Sequence, residues 1–375
     1  MKFTVERDVL ADAVAWTSRA VPARPPVPVL AGVRITADTE GTVRLASFDY
    51  EVSARGEFPA EVDQSGEVLV SGRLLREIAN ALPHKPVTLS LEGTKVSVTC
   101  GASRFTLATM PVDQYPSLPE LPEQSGTIDG ATLQQAVAQV TSAASRDETL
   151  PILTGVRVEI EGSHISLLAT DRYRLALREL EWKPSKSDIS AVALVRAKTL
   201  GDTAKALGAG EVTVALSSGQ GLDLIGFEAG GLVTTSLLMD GDYPAVRRLF
   251  PESSPITATV RTQDIIDATR RVALVAERNS SVRLAFAEGE VTLDAGQSDD
   301  AQASEALTAD LEGEPITVAF NPQYLLDGLT ALGSEYVRFG FTQETKPVEF
   351  VGVKEPGGEI AADFRYLLVP IRIAS

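Results

Sequence analysis

The sequence predicts an α+β fold made of three similar domains, each with two helices and roughly eight short strands in antiparallel sheets. Two observations predict it. One strand–helix–hairpin pattern occurs three times at a constant spacing, and two proline-rich segments separate the copies. The length of 375 residues also exceeds what a single hydrophobic core usually fills.

The repeat is clearest in the second half of each copy. It starts at Val70, recurs 125 residues later at Val195, and recurs after a further 125 residues at Phe320. The helix is predicted from apolar residues at helical spacing, which in the first copy are Leu74, Leu75, Ile78, Ala79 and Leu82. Alternating apolar residues on both sides of a turn at 92–95 predict the hairpin.

The first half of each copy repeats more loosely. Apolar residues at helical spacing predict an early helix near Leu10, near Val137 and near Ile266. Residues 29–35 and 152–158 have nearly the same residue order, and both are predicted as strands. This interpretation places Leu153 on a strand.

Two proline-rich segments, 115–122 and 243–255, mark the joints between copies. Proline fixes φ and lacks a backbone donor, so both segments are predicted to be stiff, extended linkers. The predicted domains are therefore 1–122, 123–253 and 254–375.

Composition excludes several classes of protein. With 44% hydrophobic and 23% charged residues, the chain is typical of globular proteins, and it contains no apolar run long enough to span a bilayer. The first eight residues carry charges where a signal peptide needs an apolar stretch. The single cysteine, Cys100, is predicted to be a buried strand residue, which suits a reducing cytoplasm.

The sequence contains no recognisable catalytic motif. Both histidines, His84 and His164, lie in turn contexts, and no His/Cys cluster has metal-ligand spacing. We interpret residues 240–242 (Asp-Gly-Asp) as a turn rather than a cation site. No cofactor, metal or enzymatic activity is predicted, although a hydrolase with an unrecognised site remains an alternative.

Basic residues gather at the start of the second helix or after the first helix of a copy, although the net charge is −17. The residues concerned are Arg24, Arg73, Arg76, Arg146, Arg196 and Lys198. One interpretation is ordinary solvated helix faces, and the other is a basic lining that contacts phosphates without reading sequence. If the chain were instead a repeat-built protein scaffold without DNA, neutralising these residues would change nothing.

Five stretches carry a family resemblance, at 1–7, 24–30, 103–107, 170–176 and 366–373. Together, in this order, they resemble the β subunit of bacterial DNA polymerase III, the sliding clamp, over the full length. The resemblance implies a head-to-tail homodimer that forms a ring around duplex DNA, with helices inside and sheets outside. It implies as partners a replicative polymerase, a clamp loader and other proteins with a clamp-binding motif, and it implies no membrane.

The resemblance also implies site residues. It assigns DNA contacts to Arg24 and Arg73, and the interpretation as a basic lining adds Arg76, Arg146, Arg196 and Lys198. It assigns a peptide-docking pocket to Leu153, Thr170, Arg172, Tyr173, Arg174, Leu175, Pro244, Arg248, Leu249, Val348, Val369, Pro370, Ile371, Arg372 and Ile373, with Arg172 replacing the family's usual glycine. Arg174, Arg248 and Arg372 are expected at the pocket rim. The dimer interface is expected to involve Phe105, Leu107, Leu274 and Val275.

Overall fold

The computed structural model describes residues 1–217, 223–276, 281–298 and 301–372. The chain forms two compact units. The first unit comprises Met1–Thr132, Lys183–Ser187 and Asp202–Leu238, and the second comprises Leu133–Trp182, Asp188–Gly201 and Met239–Ser375. The predicted central domain, 123–253, therefore contributes residues to both units.

Within the described residues, the three copies of the repeat have the same order of elements. The first copy contains β1 (Lys2–Val5), α1 (Arg7–Thr17), β2 (Gly32–Ala37), β3 (Thr42–Phe48), β4 (Val52–Pro59), β5 (Glu61–Gln64), β6 (Gly66–Ser71), α2 (Gly72–Ala81), β7 (Val87–Glu92), β8 (Lys95–Cys100) and β9 (Ser103–Met110). The second contains β10 (Gln124–Asp129), α3 (Gly130–Thr141), β11 (Gly155–Glu161), β12 (His164–Thr170), β13 (Arg174–Glu181), β14 (Lys183–Pro184), β15 (Ser190–Arg196), α4 (Ala197–Leu207), β16 (Glu211–Ser217), β17 (Leu224–Ala229) and β18 (Leu232–Leu237). The third contains β19 (Ile256–Arg261), α5 (Thr262–Val272), β20 (Val282–Ala287), β21 (Glu290–Ser298), β22 (Ala301–Thr308), β23 (Asp310–Glu312), β24 (Ile316–Phe320), α6 (Pro322–Leu332), β25 (Tyr336–Phe341), β26 (Val348–Val353) and β27 (Ile360–Leu368). The two predicted helices per copy are confirmed, and nine strands stand where roughly eight were predicted.

The strands form antiparallel sheets within each unit. In the first unit, the strand order is β14-β10-β16-β17-β18-β4-β3-β2-β6-β9-β8-β7-β1-β5. The second unit has a nine-stranded sheet, β15-β11-β12-β13-β27-β26-β25-β19-β23, and a four-stranded sheet, β22-β21-β20-β24.

Strand pairing across the predicted joints explains why the central copy is divided. In the first unit, β18 pairs with β4, and the buried hydroxyls of Ser53 and Thr235 lie 2.6 Å apart across this pair. In the second unit, β13 pairs with β27, with Ala176 opposite Tyr366. Each pairing satisfies backbone groups that an unpaired strand edge would leave exposed. The central copy thus completes a sheet in each unit.

Capping residues begin and end two of the helices. The Ser71 hydroxyl accepts a hydrogen bond from the Leu74 backbone N–H at the start of α2. The Asn321 side chain does the same for Gln323 and Tyr324 at the start of α6. Such caps satisfy N–H groups that have no partner within the helix. Gly333, at φ 61°, ends α6 in the left-handed conformation that favours glycine.

The predicted strands at 29–35 and 152–158 are wrong in their first residues. Pro28–Ala31 and Pro151–Thr154 are single 3-10 turns, and the strands begin only at Gly32 and Gly155. A proline at the start suits such a turn, because proline has no N–H to donate and its φ is already helical. Leu153 therefore lies in a turn. The second proline-rich segment also contains a 3-10 turn, Arg247–Leu249.

A close helix–sheet contact positions α6 in the second unit. A Cβ added at Gly328 would lie 2.4 Å from the ring of Tyr366 on β27, so only glycine lets the helix approach this closely. The Tyr366 hydroxyl also donates a hydrogen bond to the Tyr324 carbonyl, at 3.0 Å. Burial raises the pKa of Tyr366, which keeps this donor protonated.

The single cysteine, the helices and the possible metal ligands are also described by the structure. Cys100 is buried on β8, as predicted, with its Sγ 3.4 Å from the carbonyls of Pro83 and Lys85. No helix in the described part of the chain is long and apolar enough to cross a membrane. Among the same residues, no three His, Cys, Asp or Glu side chains are grouped so as to hold a metal ion.

Candidate docking site, basic faces and exposed edges

The centre of the candidate docking site is the turn between β12 and β13, residues 170–174, which we call the docking turn. One carboxylate oxygen of Asp171 accepts the backbone N–H groups of Tyr173 and Arg174, both at 3.0 Å. The Thr170 hydroxyl donates to the Arg174 carbonyl at 2.6 Å. These bonds fix the turn from inside, in the manner of an Asx turn.

Tyr243 ties the docking turn to the second proline-rich segment. The backbone N–H of Thr170 donates to the Tyr243 hydroxyl at 3.0 Å. Burial raises the pKa of that hydroxyl to about 12, so it stays protonated at neutral pH. The docking turn is therefore held both by its own side chains and by the neighbouring segment.

Arg172 adopts a left-handed backbone conformation within the turn, with φ at 81°. This conformation is unfavourable for a residue with a Cβ, and glycine is the residue that adopts it freely. The side chain is exposed, and its guanidinium lies 5.8 Å from the centre of the Tyr173 ring. Arg172 therefore adds a cation at the surface of a turn whose backbone conformation glycine would adopt more readily.

Arg174 is buried, which corrects the expectation that it lies at the rim. Its side chain is only 5% exposed, and it pairs with Asp171 at 2.9 Å and with Asp327 on α6 at 2.6 Å. The guanidinium also lies 4.3 Å from the centre of the Tyr324 ring. Burial opposes its charge, but Tyr366, Asp327 and Asp171 together raise its pKa above the ordinary value. Arg174 is therefore fully paired within the protein.

Apolar side chains form a packed floor beneath the docking turn. The buried members are Leu168, Leu175, Leu177, Leu194, Tyr243, Val246, Phe250 and Leu367, and the half-buried Ile152, Leu153 and Met239 pack against them. Leu175 and Leu153, both predicted pocket residues, thus belong to this floor. Val348 is completely buried on β26 and is not a member of this floor cluster.

Four exposed apolar side chains lie on the docking turn, the second proline-rich segment and the C-terminal segment, and we call them the apolar rim: Tyr173, Leu249, Val369 and Ile371. Backbone hydrogen bonds hold two of them, because Val369 donates to the Tyr173 carbonyl at 2.8 Å and Ile371 to the Ala319 carbonyl at 2.7 Å. The predicted residues Pro244, Arg248, Pro370 and Arg372 are exposed or half-buried on the same segments. Ile373 lies outside the described residues. Exposed apolar groups in such a cluster are typical of a binding surface.

The predicted DNA-contacting residues are at the surface of the two units. Arg24, Arg73 and Arg76 are exposed in the first unit, and in the second Arg146 and Lys198 are exposed and Arg196 is half-buried. The Arg73 side chain is 82% exposed and lies 3.5 Å from Glu77, one helical turn later. Exposed pairs of this kind contribute little, about 0–1 kcal/mol, so Arg73 remains available to a phosphate.

The predicted interface residues differ in exposure. Phe105 is exposed on β9, whereas Leu107 is only 4% exposed and packs into the core of the first unit. The expectation that the Leu107 side chain meets a partner is therefore wrong. Leu107 points to the same side of β9 as Phe105, two residues away, but the core of the first unit covers it. Leu274 is 84% exposed in a 3-10 turn, and Val275 beside it is half-buried.

Sequence reasoning missed the residues that hold the docking turn. Asp327 and Tyr324 come from α6, and Asp171 and Tyr243 were seen only as parts of a motif and a linker. The one sign of such a contact in the sequence was that the second helix of the third copy carries an acidic residue, Asp327. Residue spacing cannot reveal that its partner is Arg174, which lies 153 positions earlier in the chain.

Known proteins match the chain over its whole length. Family models described as the N-terminal, central and C-terminal domains of the DNA polymerase III beta subunit match residues 1–119, 127–245 and 247–370. A beta sliding clamp from Streptomyces coelicolor is 54% identical over 376 residues, which cover 100% of both chains.

Solved structures agree with these sequence matches. A DNA polymerase sliding clamp from Bacillus subtilis superimposes with a TM-score of 0.91 at 28% identity, covering 100% of both chains. A sliding clamp from Pseudomonas aeruginosa bound to griselimycin gives a TM-score of 0.91 at 27% identity, again covering 100% of both chains.

The Arg174 ion pairs lead to a stability prediction. Asp327→Ala leaves a buried guanidinium with one carboxylate fewer, which we expect to lower the free energy of unfolding by about 1–3 kcal/mol. Thermal unfolding of the full chain measures the change. The matched control is Asp267→Ala, because Asp267 pairs with Arg270 on an exposed helix face and its loss costs only about 0–1 kcal/mol. Equal unfolding temperatures for both variants would contradict a structural role for Asp327.

Proposed function

Because the chain belongs to the family of the bacterial DNA polymerase III β subunit, the sliding clamps, we propose that two copies close head to tail into a ring around duplex DNA. Its function is that of a sliding clamp, the processivity factor that tethers a replicative polymerase to DNA. The observation that carries the ring proposal is the order of the three domain matches along the whole chain. Two chains supply six similar domains, bounded in our proposal at 1–122, 123–253 and 254–375.

Unpaired strand edges support the proposed dimer. Residues 103–108 of β9 pair with β8 on one side and with no described strand on the other. β22 is the edge strand of its four-stranded sheet, and the turn that carries Leu274 packs beside it. Exposed edges favour pairing with another chain. We propose that β9 of one protomer pairs with β22 of its partner, with Phe105 packing against Leu274.

The dimer proposal predicts a change of mass on mutation. The wild-type chain should show twice its 39.8 kDa mass by light scattering. Leu274→Asp should shift the population toward monomer, because it places a charge in an apolar contact. Val192→Asp is the matched control, since Val192 is an exposed apolar residue outside the proposed interface. A wild-type protein that stays monomeric at micromolar concentration would refute the ring.

We propose that Arg24, Arg73, Arg76, Arg146, Arg196 and Lys198 contact DNA phosphates. The net charge of −17 discourages DNA from binding over the whole surface, so contact depends on local basic groups. Phosphate contacts hold the duplex without reading its sequence, which suits sliding. Their contribution decreases as salt concentration rises, because binding releases counterions.

The DNA proposal predicts the effect of charge reversal. Arg24→Glu together with Arg73→Glu should weaken retention on closed circular DNA and reduce the salt dependence of direct binding. Lys85→Glu together with Lys95→Glu makes the same change of net charge at two exposed positions outside the proposed contacts and should have no effect. Retention on circular and linear DNA after loading is the measurement. A sequence-specific footprint would be inconsistent with a topological tether.

We propose that the docking site takes an extended peptide from a polymerase or clamp loader. Tyr173, Leu249 and Ile371 offer exposed apolar surface above a packed floor, and such sites derive most of their affinity from a few anchors. The Pseudomonas aeruginosa clamp bound to griselimycin makes that compound a useful second probe for this chain. Other proteins with a clamp-binding motif would compete for the same surface.

Ile371→Asp should lower the affinity for a polymerase tail peptide at least tenfold, because it places a charge against apolar anchors. Calorimetric titration measures the affinity, and light scattering on the same sample shows whether the dimer persists. Ile360→Asp is the matched control, since the two isoleucines are 45% and 40% exposed in the same unit. Unchanged affinity in a dimeric Ile371→Asp variant would place the docking site elsewhere.

We further propose that the chain works without catalytic activity of its own and acts in the cytoplasm. The family match to a processivity factor supports the first proposal, and the reduced, buried Cys100 supports the second. A metal-dependent or nucleophile-dependent hydrolytic activity of the purified dimer would contradict the first.

A further inference from the structure

An arginine occupies a backbone position that favours glycine. Arg172 is held at φ 81°, and an arginine there makes the docking turn harder to form than glycine would. The equivalent turn of the first unit has the same conformation at Tyr50, with φ at 76°. The conformation thus belongs to the repeated fold, and the Arg172 side chain is what is particular to the docking turn.

The Arg172 guanidinium is at the surface and has no ion-pair partner in the part of the chain that the structure describes. It lies near the exposed Tyr173 ring, at 5.8 Å from its centre. The hydrogen bonds from Thr149, and to a smaller extent the charge of Arg172, lower the pKa of Asp147. Those bonds, at 2.7 and 2.9 Å, already occupy one oxygen of the Asp147 carboxylate.

Each of three exposed arginines is adjacent in sequence to a residue of the apolar rim. Arg172 precedes Tyr173, Arg248 precedes Leu249, and Arg372 follows Ile371. None of the three forms an ion pair within the described ranges. Each of the three segments that carry the apolar rim thus places a cation next to an apolar side chain.

Two neighbouring arginines show the contrast. Arg247 pairs with Glu179 at 3.1 Å and with Glu159 at 3.5 Å, and Arg174 is buried between Asp171 and Asp327. Their charges are compensated by the protein itself. The charge that a bound peptide meets therefore comes from the exposed arginines beside the rim.

We propose that the docking site selects peptides in which a carboxylate is adjacent to the apolar anchors, and that Arg172 is the residue that recognises this carboxylate. The inference rests on the proposed docking function and specifies its ligand as an acidic, apolar segment of the partner protein. A guanidinium binds a carboxylate through two parallel N–H groups. A peptide that covers Tyr173 would also exclude water from this contact and so strengthen it.

Arg172→Gly gives a clean test, because glycine adopts φ 81° more readily than arginine and the turn keeps its shape. The probes are two synthetic peptides with the apolar residues of a polymerase tail, one with an aspartate beside them and one with asparagine. Calorimetry on the full-length dimer should show that the wild type prefers the aspartate peptide about threefold to tenfold. Arg172→Gly should remove this preference, so that the variant binds the two peptides with equal affinity.

Arg247→Ala is the matched control, since it removes the same charge next to Arg248 from a residue that is already paired. It should leave the preference intact. Added salt should reduce the preference for the aspartate peptide in the wild type. In Arg172→Gly, salt should not change the ratio of the affinities for the two peptides. Equal wild-type affinity for both peptides, or loss of both by Arg172→Gly, would overturn the selection by Arg172 and leave the docking function standing. Failure of both peptides to bind the wild type would overturn the docking function as well.

Discussion

The backbone pairing between β13 and β27 is the constraint on which the docking site depends. Arg174 lies opposite Leu368, so the start of β13 and the end of β27 are neighbours. The docking turn immediately precedes β13, and the C-terminal segment immediately follows β27. The hydrogen bond from Val369 to Tyr173 continues the ladder beyond both strands. Two distant parts of the chain therefore form one surface, because unpaired backbone groups in a sheet are costly.

The first unit contains the same backbone arrangement, so this arrangement by itself does not make a docking site. There, β4 pairs with β18, and Leu237 donates to the Glu51 carbonyl at 2.9 Å. The N–H of Phe48 donates to the Tyr115 hydroxyl at 2.8 Å, and Tyr50 adopts φ 76°. These features correspond to those of Thr170, Tyr243 and Arg172 in the second unit. The turn is thus a requirement of the repeated fold, and only its side chains distinguish a docking site.

Local sequence patterns predicted most of the fold. The helical apolar residues and the Gly93 turn are patterns within about ten residues, and they predicted the helices and the hairpin of the first copy. The spacing from Val70 to Val195 to Phe320 then predicted that the other two copies have the same elements. The 3-10 turn at Pro151–Thr154 was missed, because an apolar run ending at glycine also fits a strand. The family resemblance likewise assigned Leu107 to an interface, because it cannot show that the core of the first unit covers this side chain.

The candidate site was less predictable, because burial decides what a charged residue does. Arg172 and Arg174 are two positions apart and have the same side chain, yet a buried guanidinium needs carboxylates and hydrogen bonds around it, whereas an exposed one has water. Asp171 and Asp327 supply those partners to Arg174, and Asp327 comes from a helix far along the chain. Family resemblance placed both arginines at the pocket, but only the fold shows that one holds the turn and the other faces outward. In a chain with a net charge of −17, the position of a few uncompensated cations therefore determines where an anionic partner can bind.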